Sequence, residues 1–363
     1  MERFAFLLHP LRMSDFTRKF PWAQRLPESW VEAAFARVPA FRVSHVTGVR
    51  DLLGHEAEGD LYALPMTPRY LLERPFPWVL RRLVAAGRKA EEDGARIFGL
   101  GAFTKIVGDR GVSVARALSI PVTTGNSYTV ATAVEGALLG ARRMGIPLDG
   151  ARAAVVGATG SIGQAVALLL AKEVGAVTLV GRRRDALDAL AERVRAEGRA
   201  EVAVGTDPSA AARRAEIVMT VSSATEALIQ PQDPLPGAVV CDVSRPRNVS
   251  AQLTEVRDDV LVIDGGVIKV PGPVDFGFNF GFPPGTSEAC MAETMILALA
   301  GRYECFTLGP DINVEKVLEI GRLGRELGFG LSGFRRFERA IDDAEVDAIR
   351  ERANERNRRS ASG

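Results

Sequence analysis

The sequence predicts an α/β protein, and three observations support that prediction. Short apolar segments of strand length alternate with longer segments of helical spacing, an order typical of parallel sheets covered by helices. A glycine-rich turn, Gly157–Gly163, follows one apolar strand and opens a helix. The chain has 363 residues, which is long enough for two domains, and its 47% hydrophobic content is ordinary for a globular protein.

Residues 1–128 are predicted to form an N-terminal α/β domain that holds the substrate. Strands are expected where apolar residues run together or alternate, and helices where they recur every three to four positions. Gly94 follows one of these helices and is a typical C-cap. The expected strands cover 4–9, 41–46, 59–64 and 96–100, and the expected helices cover 30–36 and 78–93.

Residues 129–275 are predicted to form a doubly wound domain of the Rossmann type that binds NADP. A helix over 129–144 leads into alternating strands and helices. Residues 276–363 are predicted to be a helical segment that packs back across the N-terminal domain, with a helix over 332–339. Within the Rossmann-type domain, the expected strands cover 153–157, 176–180, 201–204, 216–221, 238–243 and 260–264, and the expected helices cover 162–173 and 184–197.

The glycine-rich turn has the spacing of a dinucleotide-binding fingerprint. Gly157 permits the tight turn, Gly160 lets the backbone approach a pyrophosphate, and Gly163 allows the helix to pack closely on the strand. The next strand ends in arginines, where an NAD site usually carries an acidic residue. Because guanidinium groups suit a 2′-phosphate, the predicted cofactor is NADPH. The predicted contacts are Gly157, Thr159, Gly160, Ser161, Ile162, Gly163, Arg182, Arg183, Ser222, Gly265 and Gly266.

Cys290 lies at the start of an apolar helix and is the predicted nucleophile. If Ser287 is the N-cap, Cys290 is the third helical residue, where unpaired amide hydrogens stabilise a thiolate. A nucleophilic thiol used with a nicotinamide suggests an acyl group that is held as a thioester and reduced to an aldehyde. The alternative is that Cys290 is a small buried hydrophobic residue, as most free cysteines are.

Lys105, Asn126 and Tyr128 complete the set of predicted catalytic residues. Lys105 is expected to hold a carboxylate or donate a proton, with Asp109 as its partner, unless it is a plain surface lysine. Asn126 and Tyr128 are expected to donate hydrogen bonds to a developing oxyanion, unless Asn126 only caps the following helix. Glu293 is not expected to act as a base, because its charge would raise the pKa of the thiol.

Composition and charge argue against several other classes of protein. The formal net charge is +1, so no basic field indicates nucleic acid. Three cysteines give no disulfide framework, which fits a reducing cytoplasm, and three scattered histidines lack metal-ligand spacing. Neither a signal peptide nor a bilayer-spanning run is expected. A cytoplasmic location is therefore predicted, and peripheral membrane contact and a homo-oligomer are left open.

Five motifs occur in order along the chain: Gly99–Thr104, Thr123–Asn126, Val155–Gly163, Ile263–Gly266 and Ala289–Met295. Together they resemble the cyanobacterial long-chain acyl-ACP reductases, within a wider bacterial group of amino-acid or shikimate-type dehydrogenases. The resemblance implies NADPH as cofactor, an acyl-ACP or acyl-CoA thioester as substrate, Cys290 as the residue that takes the acyl group, and a fatty aldehyde as product. Two positions depart from those reductases: Tyr128 replaces a histidine, and Lys105 replaces a small polar residue.

Three functions follow as alternatives. The first is NADPH-dependent reduction of a thioester-activated acyl group to an aldehyde through Cys290, which requires an apolar tunnel ending at that residue. The second is NADP-dependent dehydrogenation of a small hydroxy or amino acid, in the manner of shikimate dehydrogenase, with Lys105 as the catalytic group. The third is a sensor that binds NADP and a partner without turnover.

Overall fold

Strands and helices alternate along the chain, so the predicted α/β class is confirmed. The computed structural model describes residues 1–361 except 12, 15–20, 225, 245–246, 278, 280 and 338. The strands are β1 (Glu2–Leu8), β2 (Phe41–Arg50), β3 (Glu56–Ala63), β4 (Phe98–Leu100), β5 (Val122–Thr123), β6 (Arg152–Val156), β7 (Ala176–Val180), β8 (Glu201–Gly205), β9 (Ile217–Thr220), β10 (Val239–Asp242), β11 (Leu261–Asp264), β12 (Val267–Lys269), β13 (Thr286–Glu288), β14 (Gly330–Leu331), β15 (Phe334–Arg336) and β16 (Arg339–Ile341). The helices are α1 (Glu28–Phe35), α2 (Pro68–Glu73), α3 (Phe76–Glu92), α4 (Val112–Ala117), α5 (Asn126–Arg143), α6 (Ser161–Leu170), α7 (Arg184–Glu197), α8 (Pro208–Ala212), α9 (Gln252–Val256), α10 (Ala289–Leu299), α11 (Val314–Glu326) and α12 (Asp343–Ala361).

The chain divides into two units that are both discontinuous in sequence. The first unit contains Met1–Tyr128, Ile268–Asp311 and Glu319–Gly330. The second contains Thr129–Val267, Ile312–Leu318 and Leu331–Gly363. None of the helices in the described part of the chain is long and apolar enough to cross a membrane.

The first unit is built on a five-stranded sheet in the order β2-β3-β1-β4-β5. All neighbouring strands are parallel except β2, which pairs antiparallel with β3. Ala5 and Leu7 of β1 pack in an apolar core with Val79 and Leu83 of α3. The helix α10 also contacts β1 and β4, and every residue in it is buried. Apolar elements therefore cover the sheet closely, which fits the apolar run that ends β1 at Leu8 and the short apolar strand β4.

The second unit contains a six-stranded sheet in the order β8-β7-β6-β9-β10-β11. All of its ladders are parallel. The chain moves outward from β6 to β8, returns to pair β9 with β6, and continues to the other edge. This order is that of a Rossmann domain, and the reversal places a crevice at the carboxyl ends of β6 and β9. The doubly wound arrangement predicted from the sequence is therefore confirmed.

The C-terminal part of the chain is divided between the two units. Residues 276–311 and 319–330 belong to the first unit, and residues 331–363 belong to the second, where Val346 and Ile349 of α12 join the core. The helix predicted over 332–339 is wrong, because the segment contains β15 and part of its antiparallel partner β16. Phe334 and Ile341 face each other across this ladder and both enter the same core, so two-residue periodicity prevails over helical spacing.

Candidate active site

Polar segments follow three strands of the first sheet at its carboxyl edge. His9 follows β1, the turn Ala102–Lys105 follows β4, and Thr124–Asn126 follows β5. The order of the strands reverses between β1 and β4, because β3 lies on the other side of β1. In open α/β sheets the carboxyl edge at such a reversal is the usual place for a ligand. The edge that carries Lys105 and Asn126 is therefore a candidate substrate site.

Cys290 lies within this edge at the start of α10. The N-cap of the helix is Glu288 and not Ser287, so Cys290 is the second helical residue and not the third. The backbone of Gly125 has a φ of +70°, and a Cβ added there would lie 2.3 Å from both the Cα and the carbonyl oxygen of Cys290. The loop after β5 is thus pressed onto the helix start, which brings the neighbourhood of Asn126 to the thiol.

The expected thiolate at Cys290 is wrong for this structure. Only 5% of the residue is exposed, and this burial raises the pKa of the thiol to about 11. The ammonium of Lys105 and the amide of Met291 lower that pKa, whereas Glu288 raises it, since its Oε2 accepts the thiol hydrogen over 3.6 Å from Sγ. Burial therefore raises the pKa of the thiol by more than the amides of the helix start and Lys105 lower it. Cys290 is accordingly a neutral thiol at neutral pH.

The alkylation of the cysteines should show this protonation state directly. We expect iodoacetamide at neutral pH to modify Cys305 before Cys290, because Cys305 is exposed and Cys290 is buried as the thiol. Peptide mass spectrometry after timed exposure measures the order. Cys241 is buried in β10 and serves as the internal unreactive control. Faster modification of Cys290 than of Cys305 would contradict the raised pKa.

Lys105 is half-buried in the turn after β4, and its charge acts on two buried groups of this site, the Cys290 thiol and the Glu293 carboxylate. The expected partner of Lys105 is engaged elsewhere, because both carboxylate oxygens of Asp109 accept the amide hydrogen of Ser113, at 3.1 and 2.9 Å. Asp109 therefore holds the first turn of α4, and the pairing of Asp109 with Lys105 is wrong. The positive charge of Lys105 lowers the pKa of the Cys290 thiol.

Glu293 is a fully buried carboxylate that joins three separate parts of the first unit. Its Oε1 accepts hydrogen bonds from the hydroxyls of Thr123 and Thr307, at 2.5 and 2.9 Å. Its Oε2 accepts the amide hydrogen of Tyr128 at 2.9 Å. Burial raises the pKa of this carboxyl, and the three donors and the charge of Lys105 oppose that rise. We identify Glu293 as a structural residue of the site. The signal for it was the single acidic residue in an otherwise apolar helix.

Asn126 and Tyr128 occupy different positions at the N-terminus of α5. Asn126 is buried, with 5% of the residue exposed, and its Oδ1 has no hydrogen-bond partner among the described residues. Asn126 therefore does not cap α5 through this atom, and its Oδ1 can accept a hydrogen bond from a ligand. The ring of Tyr128 packs against Gly324 of α11, where an added Cβ would lie 2.8 Å from the hydroxyl oxygen. Tyr128 joins the site through its backbone amide.

The dinucleotide fingerprint lies in the second unit, where the order of its sheet reverses. Gly157 has a φ of +92°, and a Cβ there would lie 2.8 Å from the amide nitrogen of Ser222, which follows β9. The N-cap of α6 is Gly160, and the amide nitrogen of Gln164 bonds its carbonyl at 2.9 Å. The helix start has no side-chain cap, so the amides of Ser161, Ile162 and Gly163 can hold a phosphate.

The other predicted cofactor residues line the same carboxyl edge. Arg182 and Arg183 follow β7, are exposed, and form no ion pair within the part of the chain that the structure describes. Arg184 instead pairs with Asp188 at 3.0 Å, as expected of a helix-start arginine that is not a ligand. Thr159 lies beside Gly181 at the end of β7, and Gly265 and Gly266 follow β11.

Part of this chain matches a known family, and most of it is similar to several known proteins. The model of the Shikimate / quinate 5-dehydrogenase family matches residues 139–264. The aminotransferase PigE of a Serratia species is 30% identical over 338 residues, which are 90% of this chain, but the chain spans only 39% of PigE. The long-chain acyl-[acyl-carrier-protein] reductase of Synechococcus elongatus is 28% identical over 277 residues, 72% of this chain and 79% of that protein. The structural match with L-tryptophan dehydrogenase from Nostoc punctiforme covers 97% of this chain and 88% of the dehydrogenase chain, at 14% sequence identity and a TM-score of 0.41.

The strand order, the fingerprint and the family match define a class of protein. Residues 139–264 belong to a Rossmann-type domain that matches the Shikimate / quinate 5-dehydrogenase model and uses a nicotinamide cofactor. The expected use of a nicotinamide cofactor is therefore confirmed. The fingerprint glycines and the unpaired arginines fit such a dinucleotide.

Proposed function

We propose that the protein reduces a thioester-activated acyl group, on acyl carrier protein or CoA, to an aldehyde with NADPH, and that Cys290 holds the acyl group as a thioester. The observation that carries this proposal is the position of Cys290. It lies at a helix start on the carboxyl edge of the first sheet, with the Lys105 cation acting on it and Asn126 in the loop pressed against it. A nucleophile and a cation that stabilises negative charge are two of the groups that acyl transfer needs.

The residues of the site have separate roles in this reaction. The sulfur of Cys290 attacks the carbonyl carbon of the bound thioester, and the thiol of the carrier leaves. Asn126 donates a hydrogen bond to the oxyanion that develops, and the charge of Lys105 stabilises it. The burial of Cys290 excludes water, so the new thioester is protected from hydrolysis. NADPH supplies the hydride that converts this thioester to the aldehyde and frees the thiol.

The relatives support the proposal to different degrees. The Synechococcus elongatus protein is named for reduction of long-chain acyl groups on acyl carrier protein, and it matches most of this chain. PigE matches over a longer part of this chain, but most of PigE lies outside the match. The proposal of acyl chemistry is therefore supported by the Synechococcus elongatus reductase and by the site around Cys290.

A second candidate function is oxidation of a small hydroxy or amino acid with NADP, for which Lys105 is the catalytic group. Two observations favour it. The family match is to a dehydrogenase of a small hydroxy acid, and burial keeps the Cys290 thiol protonated. In that reaction Lys105 exchanges a proton with the substrate hydroxyl, and the unpartnered Oδ1 of Asn126 accepts a substrate hydrogen.

Intact mass spectrometry separates the two functions. Incubation with a long-chain acyl-CoA without NADPH should add the mass of one acyl group, located at Cys290 by peptide mapping. Addition of NADPH should remove the acyl group and release one equivalent of aldehyde. The absence of an adduct, together with NADPH formation from NADP and a small hydroxy or amino acid, would favour the second function instead.

The unpaired arginines predict a preference for NADPH over NADH. We expect Arg182→Ala to weaken NADPH binding by roughly 10- to 150-fold, because a charge-assisted bond to phosphate contributes about 1.5–3 kcal/mol. NADH binding should change little, and fluorescence titration with each cofactor measures both affinities. Arg184→Ala is the matched control, since Arg184 is already paired with Asp188. An equal loss for both cofactors in Arg182→Ala would place the phosphate elsewhere.

A further inference from the structure

Glu288 has an unusual position at the start of α10. It is the N-cap residue, yet its side chain forms no capping hydrogen bond. Its Oε2 instead lies 3.6 Å from Sγ of Cys290 and accepts the thiol hydrogen. The carboxylate is half-buried, so it can exchange protons while the sulfur beside it stays shielded from water.

We propose that Glu288 is a catalytic residue that takes the proton of the Cys290 thiol during acyl transfer and returns it to the departing thiol. This inference rests on the proposed acyl-transfer function. It adds to that function a specific proton acceptor, which neither the family match nor the motif around Cys290 assigns.

The proposed step balances without any further reactant. The S–H bond of Cys290 breaks, its proton moves to Oε2 of Glu288, and the sulfur forms a bond to the carbonyl carbon. The bond between that carbon and the sulfur of the carrier then breaks. The departing thiolate takes the proton back from Glu288, so the carrier leaves as a neutral thiol and Glu288 is again a carboxylate.

The surroundings of the thiol explain why this acceptor is needed. The sulfur is nearly inaccessible to water, so the proton has to pass to a protein group. Glu293 is the acidic residue within α10, and its carboxylate already accepts hydrogen bonds from the hydroxyls of Thr123 and Thr307 and from the amide of Tyr128. Lys105 acts on the thiol as a cation and stabilises the thiolate once it forms. Glu288 is the carboxylate in contact with the thiol hydrogen.

Glu288→Gln tests the proposal because two readouts should move in opposite directions. Loss of the carboxylate removes a group that favours the protonated thiol, so alkylation of Cys290 by iodoacetamide should become about three- to tenfold faster at mildly alkaline pH. Acyl transfer from a long-chain acyl-CoA to Cys290 should become about a hundred- to ten-thousandfold slower, since a positioned base typically contributes that much. Both rates are measured in a Cys305→Ser background by mass spectrometry.

Three control measurements make the result decisive. Glu288→Asp keeps a carboxylate and should recover part of the transfer rate, and Glu255→Gln, an exposed glutamate of the second unit, should match the parent protein in both assays. Urea denaturation with a probe in the first unit should give the same midpoint for all three variants as for the parent protein, which shows that they are folded. If alkylation and transfer both rise, or both fall, or neither changes in Glu288→Gln, the catalytic role of Glu288 is overturned. If the parent protein forms no acyl adduct, the proposed function itself fails and the role of Glu288 fails with it.

Discussion

Cys290→Ser is expected to bind NADPH with unchanged affinity and to lose acyl transfer by at least about a thousandfold. The fingerprint belongs to the other unit, so the substitution leaves the cofactor contacts intact. A serine hydroxyl is a much weaker nucleophile than a thiol, and a base placed for sulfur activates it poorly. Fluorescence titration measures the binding, and the rate of aldehyde formation measures the transfer.

The matched control for this prediction is Cys305→Ser, which removes an exposed thiol from the same unit. It should keep both NADPH binding and aldehyde formation. A Cys290→Ser protein that makes aldehyde at nearly the parent rate would refute the covalent mechanism. It would instead favour direct hydride attack on a bound substrate, or the second function with Lys105.

Gly125→Ala is expected to destabilise the first unit by about 2–6 kcal/mol. A residue with a side chain is strained at the positive φ of this position, which costs about 1–3 kcal/mol. The added methyl group would also overlap the backbone of Cys290, and overpacking of this kind costs about 1–3 kcal/mol more. Urea denaturation with a probe in the first unit measures the loss, and aldehyde formation should fall as well because the helix start is displaced.

Gly301→Ala separates the two contributions. Gly301 also lies in the first unit and has a φ of +65°, but a Cβ there would meet no atom within 4 Å. It should lose only the cost of the backbone conformation, about 1–3 kcal/mol. If both substitutions cost the same, the contact between Gly125 and Cys290 contributes nothing to stability.

The sequence predicted the fold well because its signals there are local. The strand at 176–180 and the helix at 184–197 were predicted at the bounds that the structure shows, since apolar runs and their periodicity depend only on neighbouring residues. The error at 332–339 has the same origin. Charged and aromatic residues there alternate in a way that suits both a helix and a ladder, and pairing with Ile341 selects the ladder.

The site was less predictable because its properties depend on residues that are distant in the sequence. The helix start near Cys290 was visible, but the burial that raises the pKa of its thiol was not. The contact of Gly125 with Cys290 joins positions that no local pattern connects. The role of Glu288 was missed for a different reason, because Ser287 beside it is the more common cap and was taken as the helix boundary.

The three hydrogen bonds on Glu293 have a consequence for the order in which parts of the nascent chain can fold. Two of the donors, Thr123 and the amide of Tyr128, leave the ribosome more than a hundred residues before the carboxylate, since the separations are 170 and 165 residues. The fingerprint and the whole six-stranded sheet of the Rossmann unit, which ends at Asp264, are translated in that interval, and residues 312–318 and 331–363 of the same unit follow later. We therefore expect the nascent chain to gain a dinucleotide-binding unit before it gains a reactive cysteine, so that the thiol first becomes competent in a protein that can already bind the reductant.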